Sequence, residues 1–483
     1  MLFVEPTFLF VFLPLVVMAY ALCPLPLRNA LLLGASLVFY ALGEKEYVAV
    51  MIGSIGANYL LGLAIDRVHG SPWATRALVA ATVAVNLAPL VYFKYAGFIA
   101  QNTPALDSGI VARLASTHLP IGISFFTFQG LSYVLDVAAR RTRPQRNPLD
   151  LGLYIALFPQ LIAGPIVRYT QLRDQLHGRL WRFSLMAAGS RRFVIGAAKK
   201  LLIANPMAEV ADGVFSLPAD ELGAPLAWTG AIAYTFQIYF DFSGYSDMAV
   251  GLGRLFGFRI PRNFNYPYIS RSITEFWRRW HISLSSWFRD YVYIPLGGNR
   301  GGEAATYRNL LIVFLLCGLW HGAGWGFILW GAYHGLFLIA ERAGLGRLLS
   351  KMPAPIGWAY AMLGTVIGWI LFRASTGPTP EGDAFGYFLG YLGAMFGLTG
   401  SPGLQHTIAE FVFPAHLLVF FAAAIACTPI LLVLTRAAAR TGRRPSRAAA
   451  TTTLHAAVYG VLAVLVTIRA ASDAYNPFIY FQF

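Results

Sequence analysis

Long apolar runs separated by short polar loops recur from one end of the chain to the other. In the first third, the runs Thr7–Cys23, Ala30–Leu42, Tyr47–Ile65, Ala77–Ala100 and Leu119–Val137 predict five helices, most of them near the ~20 residues that cross a bilayer. Ala30–Leu42 is short, which predicts a tilt, a kink or shielding by protein. The first run has no basic segment before it and exceeds the apolar core of a cleavable leader, so it is read as a retained span. A sixth run, Leu151–Val167, carries Phe158-Pro-Gln and Ala163-Gly-Pro-Ile. Prolines there interrupt the hydrogen-bond ladder, which a bilayer tolerates only where protein or a wet cavity meets the freed groups. A cavity-lining segment and a kinked packing helix both fit.

The pattern changes in the middle of the chain. Phe193–Met207 mixes an apolar face with the basic residues that thicken from Arg168 to Lys200, as in a helix lying on the cytoplasmic leaflet. Leu226–Val250 is apolar yet contains Asp241 and Asp247, each costing ~2.5–3.5 kcal/mol to insert at mid-bilayer depth. Pairing with the arginines that follow, Arg254, Arg259, Arg262, Arg278 and Arg279, is the expected compensation. From Arg271 to Asp290 the spacing is helical but too charged for a span. Trp277, His281, Ser285 and Phe288 fall at i, i+4, i+8 and i+11, which places them on one face of an interfacial helix. Another apolar run, Leu310–Trp320, delivers His321 at its end. Further spans are expected near Ile356–Phe372, Phe385–Phe396, Phe411–Leu434 and Thr453–Ile468, with a basic loop over Arg436–Arg447 and an interfacial aromatic tail, Asn476–Phe483.

Composition turns this pattern into a class. A chain of 483 residues that is 57% hydrophobic and 12% charged, with a mean hydropathy of +0.58, cannot hide its apolar surface in water-soluble cores. It is an all-α, polytopic integral membrane bundle with room for roughly ten to thirteen helices, and residues 1–483 read as one membrane domain. The net charge of +15 sits in short loops, where it sets topology and touches anionic headgroups; no nucleic-acid partner is implied. Arg28, Arg67, Arg76 and the cluster Arg140, Arg141, Arg143 and Arg146 all fall on one side when odd and even loops are separated. That side is cytoplasmic, which puts the N-terminus outside. Cys23, Cys317 and Cys427 stand far apart in apolar runs and support neither a disulfide framework nor a metal site.

Candidate chemistry concentrates in Trp277–Gly335. His321 follows Trp320 at the end of an apolar run and precedes Gly322-Ala-Gly324, which permits close approach of other backbone or substrate. Shielded from water and able to titrate near neutrality, it suits a general base; a histidine that hydrogen-bonds across helices fits the same position. His281 suits either role. His334 lies thirteen residues after His321, ~220° past three full turns at ~100° per residue, so one straight helix cannot aim both into one pocket and His334 reads as structural. No GxSxG, HExxH, Walker A or Cys-x-x-Cys motif is present, so phosphate-cradling and zinc-hydrolase chemistry have nothing to stand on.

Six stretches carry a resemblance that covers nearly the whole chain: Pro120-Ile-Gly-Ile-Ser-Phe-Phe-Thr-Phe-Gln129, Phe158-Pro-Gln-Leu-Ile-Ala-Gly-Pro165, Tyr239-Phe-Asp-Phe-Ser-Gly-Tyr-Ser-Asp247, Asn263-Phe-Asn-Tyr-Pro-Tyr268, Glu275-Phe-Trp-Arg-Arg-Trp-His-Ile-Ser-Leu-Ser285 and Leu319-Trp-His-Gly322. Together they resemble the membrane-bound O-acyltransferase family, in its bacterial branch that O-acetylates polysaccharides such as alginate.

The resemblance implies a helical bundle around a central tunnel. No bound cofactor is expected; acetyl-CoA or another acyl thioester enters from the cytoplasm as donor. The acceptor is an exopolysaccharide, reached directly or through a periplasmic acetyltransferase partner, in a bacterial inner membrane. The family's signature histidine maps onto His321, and its second signature position, Asn, Asp or His in different branches, maps onto His281. Trp320, Trp277, Asp241, Arg278, Arg279 and Ser285 are then expected around the site or facing the donor. Acyltransferases acting on peptidoglycan, teichoic acid or lipid share these features. A transporter would also explain buried Asp, Arg and His residues, but it predicts paired broken helices in two halves, which the sequence does not display.

Overall fold

A computed structural model describes residues 1–377, 379–380, 382–398, 406–430, 433, 445–472 and 477. Helix dominates and, among the described residues, no strand forms. Four helical stretches are long and apolar enough to cross a membrane: Leu25–Arg67, which contains two helices, Pro72–Gln101, Gly302–His321 and Ala354–Thr376. The protein is a multi-pass membrane protein. The chain divides into two compact units, Met1–Phe193 with Ser246–Pro261, and Val194–Tyr245 with Arg262–Phe483.

The first unit is built from α1 (Phe8–Leu22), α2 (Arg28–Glu44), α3 (Val48–Arg67), α4 (Pro72–Leu90), α5 (Ile123–Ala138), α6 (Pro148–Ala156) and α7 (Phe158–Leu161), and takes in most of α8 (Phe183–Ala198). Its core is a knot of phenylalanines in which Phe8, Phe12, Phe39 and Phe158 meet at ring separations of 5.5–6.2 Å, while Phe10, Leu15 and Met18 on α1 stay exposed, as a lipid-facing stripe requires. The proline-broken run resolves into α6 and α7, and every residue of Leu151–Val167 is buried. Its freed backbone groups find side chains: the Phe158 amide donates to Ser36 Oγ at 3.1 Å and Gln160 Nε2 donates to the Tyr154 carbonyl at 2.7 Å. Ser36 and Gln160 therefore meet backbone groups at the break.

The second unit contains α9 (Asn205–Phe215), the start of α10 (Ala224–Leu255), α11 (Ile273–Arg279), α12 (Ile282–Phe288), α13 (Gly302–His321), α14 (Trp325–Ala340), α15 (Ala354–Thr376), α16 (Ala384–Met395), α17 (Pro414–Ala426) and α18 (Pro445–Ala471). One expectation changes. Phe193–Met207 does not lie on a surface: Ala197, Lys200, Leu201, Ala204 and Met207 are all buried. Small residues explain this, since Gly196 and Gly244 let the helices that carry them approach until a Cβ on Gly244 would stand 2.7 Å from the Gly196 carbonyl. The basic loop expected over Arg436–Arg447 falls mostly outside the described residues, its last positions opening α18, and of the tail Asn476–Phe483 only Pro477 is described.

α13 and α14 form an antiparallel hairpin that glycines bring together. A Cβ on Gly318 would lie 2.2 Å from the Phe327 carbonyl oxygen, and one on Gly331 would lie 2.3 Å from that of Phe314. Both neighbours are backbone, so neither can yield, and the hairpin's spacing depends on these two positions.

Candidate active site

The segment expected to be one amphipathic helix is two. Ser272 caps α11 through its hydroxyl, 3.0 Å from the Glu275 amide, and the Glu341 carboxylate at the end of α14 accepts the Ile273 and Thr274 amides at 2.7 and 2.9 Å. After seven residues the helix stops. Trp280 is extended, and His281 adopts the left-handed conformation (φ 41°, ψ 55°) before α12 begins. For a non-glycine residue this costs ~1–3 kcal/mol and survives only where surrounding contacts over-determine it. The predicted face of Trp277, His281, Ser285 and Phe288 therefore does not exist as a single stripe, because periodicity cannot register a left-handed residue between two short helices.

The stretch Asn263–Asn265 supplies those contacts. The Asn265 amide donates to the Arg279 carbonyl at 3.0 Å and the Ile282 amide to the Asn263 carbonyl at 2.9 Å, bracketing His281 on both sides. Asn263 Oδ1 accepts the Ser283 amide at 3.0 Å and its hydroxyl at 2.9 Å. Arg279 reaches back through Nη1 to the Asn265 carbonyl at 3.0 Å and holds Glu275 at 2.8 Å, so it fastens the clamp. His281 itself is fully buried, with Nδ1 3.5 Å from Ser283 Oγ and Nε2 without a hydrogen-bond partner among the described residues. The Phe242 ring packs on it at 4.7 Å.

His321 is the last residue of α13. Gly322 and Gly324 are extended and α14 starts at Trp325, so His321 and His334 lie on different helices, and the argument from one straight helix does not apply. The turn folds both towards Trp330, whose ring lies 5.1 Å from His321 and 4.9 Å from His334. His334 Nδ1 accepts the indole N–H of Trp277 at 3.4 Å, which ties α14 to α11 and gives His334 a packing role. Trp320 lies beside both candidate catalytic rings, 5.9 Å from His281 and 4.9 Å from His321, and Phe372 closes on His321 at 5.3 Å.

The remaining expected residues scatter. Asp241 forms a buried ion pair with Lys200 at 2.7 Å, and Asp247, in the first unit, pairs with Arg192 at 2.8 Å. Neither of these partners is among the arginines that follow in sequence; both precede, Arg192 on α8 and Lys200 in the helical turn Lys199–Ala204 after it. Arg278 is exposed and makes no hydrogen bond or ion pair among the described residues. Ser285 donates its amide to the His281 carbonyl at 3.0 Å, a local helix bond. Sequence reasoning missed Asn263, Ser283, Lys200, Phe242 and Trp330. A signal existed for Asn263 and Ser283 in the motifs that contain them, and for Lys200 in its place within an otherwise apolar stretch.

Two buried imidazoles walled by indole and phenyl rings form a dry site in which a proton can be taken up or held while water is kept from a reactive ester. The comparisons give the family. Residues 84–372 match the profile of MBOAT, the membrane-bound O-acyltransferase family. The chain is 48% identical over 377 residues to the "Probable alginate O-acetylase AlgI" of Azotobacter vinelandii, covering 77% of this chain and 75% of that one. It is 47% identical to the protein of the same name from Pseudomonas aeruginosa, covering 77% and 72%. It is 38% identical over 412 residues to the "Peptidoglycan O-acetyltransferase" of Helicobacter pylori, covering 77% of each. A multi-pass membrane chain with a histidine-centred buried site and relatives of this kind is an acyltransferase, and it belongs to the membrane-bound O-acyltransferase family.

Proposed function

We propose that the protein moves an acetyl group from a cytoplasmic thioester, acetyl-CoA or another acyl thioester, across the bacterial inner membrane for O-acetylation of an exopolysaccharide such as alginate. The transfer reaches the polymer directly or through a periplasmic acetyltransferase partner, and the N-terminus faces the periplasm. The observation that carries this reading is the burial of His281 and His321 on either side of Trp320, in a chain 46–48% identical to five alginate O-acetylase relatives. His321 removes the proton of the incoming hydroxyl as it attacks the thioester carbonyl, and His281 orients or polarises the reacting groups. The aromatic walls lower the local dielectric, which strengthens each of these interactions and protects the thioester from hydrolysis. Trp320 packs on both histidines, the Arg279 clamp fixes the turn at His281, and exposed Arg278 is free to meet the donor.

The test is acetyl transfer by His321→Ala in membranes that hold as much protein as the wild type. Loss of transfer is expected, and unchanged transfer refutes the assignment. A second acceptor class is favoured by the Helicobacter pylori relative, whose name states action on peptidoglycan. Assaying ester release from purified alginate and from purified peptidoglycan of cells expressing the chain separates the two.

A further inference from the structure

Five of the eleven tryptophans give their indole N–H groups a defined acceptor. Trp181 donates to the Leu255 carbonyl at 2.8 Å, Trp228 to that of Met395 at 3.0 Å, Trp358 to that of Tyr268 at 2.9 Å, Trp369 to the Tyr268 hydroxyl at 3.2 Å, and Trp277 to His334 at 3.4 Å. Trp330 departs from this pattern. It is completely buried, and its Nε1 has no hydrogen-bond partner among the described residues. A buried donor left unmade costs ~1–3 kcal/mol, and a bilayer offers no water to relieve it. The ring cannot escape by turning, because it is stacked over Trp369 at 6.1 Å and wedged edge-on against Phe372 at 5.2 Å and Trp277 at 5.7 Å. The indole ring that carries this donor packs on His321, the two ring centres 5.1 Å apart at an interplanar angle of 82°.

We infer that the Trp330 indole N–H is an oxyanion donor, hydrogen-bonding the thioester carbonyl oxygen as it gains negative charge. This rests on the acyl-transfer reading above. In the step it serves, the acceptor hydroxyl oxygen bonds to the carbonyl carbon, its proton passes to His321, and the carbonyl electron pair moves onto oxygen opposite Trp330 N–H. The oxyanion then collapses, the C–S bond breaks, and the departing thiolate takes the proton from His321, which returns to its neutral state. A neutral N–H held rigidly in a dry site suits this role. It stabilises the developing charge without reorganising and does not compete with His321 for the proton. The site's apparent defect in hydrogen bonding is thereby satisfied only while the reaction is under way, which is the condition under which a contact lowers a barrier rather than tightening ground-state binding.

The decisive experiment follows consumption of radiolabelled acetyl-coenzyme A by membranes carrying equal amounts of the full-length chain. Wild type is compared with Trp330→Phe, which keeps a ring and removes the N–H, and with a chain carrying benzothienylalanine at position 330, which keeps the bicyclic outline and replaces N–H with sulfur. Both are expected to lose ~100-fold in kcat while the donor KM moves by less than ~3-fold. Should the phenylalanine variant fail to accumulate, the benzothienyl variant decides alone. A kcat within ~3-fold of wild type, or a loss confined to KM, overturns the inference. His321→Ala assayed alongside keeps the two readings apart. An inactive His321→Ala with fast Trp330 variants removes only the oxyanion donor, whereas an active His321→Ala removes the acyl-transfer assignment itself.

Discussion

Asn263 holds Ser283 twice, its carboxamide oxygen accepting the Ser283 amide at 3.0 Å and the Ser283 hydroxyl at 2.9 Å, two residues beyond the left-handed turn at His281. Both groups are buried. Asn263→Ala removes the oxygen that accepts both of these buried donors, and a loss of about 2 kcal/mol is expected. The larger effect falls on catalysis, because the turn that orients His281 loses its tether, and transfer should drop by at least ~10-fold, the equivalent of ~1.4 kcal/mol on the barrier. Thermal unfolding in detergent and donor consumption in membranes measure the two parts separately. Full activity in this variant would show that the clamp does not position His281.

The Lys200–Asp241 pair obeys a different rule. A buried ion pair contributes little net stability against an apolar replacement, yet removal of one partner strands a charge. Lys200→Met or Asp241→Leu alone is expected to cost ~3–5 kcal/mol, and the double variant to recover most of it. Protein level in membranes and the detergent unfolding midpoint report this. A double variant no better than either single one would mean that the pair has a role beyond charge balance.

Glycines in the α13–α14 hairpin separate contact from tolerance. Gly318→Ala and Gly331→Ala each drive a methyl group into a carbonyl oxygen of the facing helix, and overpacking of this kind costs ~1–3 kcal/mol or more. A Cβ on Gly324 meets only the edge of Phe327 at 3.7 Å, ordinary contact in extended backbone. Gly324→Ala is therefore expected to accumulate like wild type while the other two fall, which quantitative immunoblotting of membranes resolves.

Outside the spans, His406 sits between two carboxylates, 2.8 Å from Glu410 and 3.4 Å from Glu221. The hydrogen bond that the imidazole donates to the Glu410 carboxylate raises it above its usual 6.5. The same bond, with help from Thr407, lowers Glu410 from 4.5 to about 2. Stabilisation through His406 is complete below 6.5 and is lost as pH rises through its raised value. Stabilisation through Glu410 is present above 4.5 and is lost as pH falls towards about 2. The segment around Ile408–Phe411 is expected to be most protected from hydrogen exchange between these limits and to loosen on the alkaline side first under ordinary conditions. Flat protection from pH 5 to 9 would contradict the pairing.

How much of this was legible in the sequence depends on the range of the interaction concerned. Apolar runs located the spans because burial in lipid is a property of each run taken by itself, and α2, α3, α5 and α13 lie where hydropathy puts them. The break at Phe158 was visible because proline announces it. The break at His281 was not, because the residues that enforce it lie about twenty positions earlier and act through backbone pairing. The partners of Asp241 and Asp247 were misplaced for the same reason. Nearness in sequence favoured the arginines that follow, whereas small residues such as Gly196 and Gly244 let a preceding helix come close enough to pair. His321 was singled out correctly as a buried histidine at a helix end, but only coordinates reveal Trp330 beside it, since a tryptophan in an apolar run carries no mark of an unmade hydrogen bond.

The backbone at His281 also bears on which residues evolution can place there. A φ of 41° is accessible to few side chains, and among non-glycine residues asparagine, aspartate and histidine populate that region several-fold more than the rest. These are the same three residue types that occupy the corresponding position in different branches of the family this chain resembles. Conformation alone can thus restrict the choice at the second signature position before any chemistry is asked of it. His321, by contrast, ends α13 in ordinary helical backbone, where the main chain places no such restriction on the side chain.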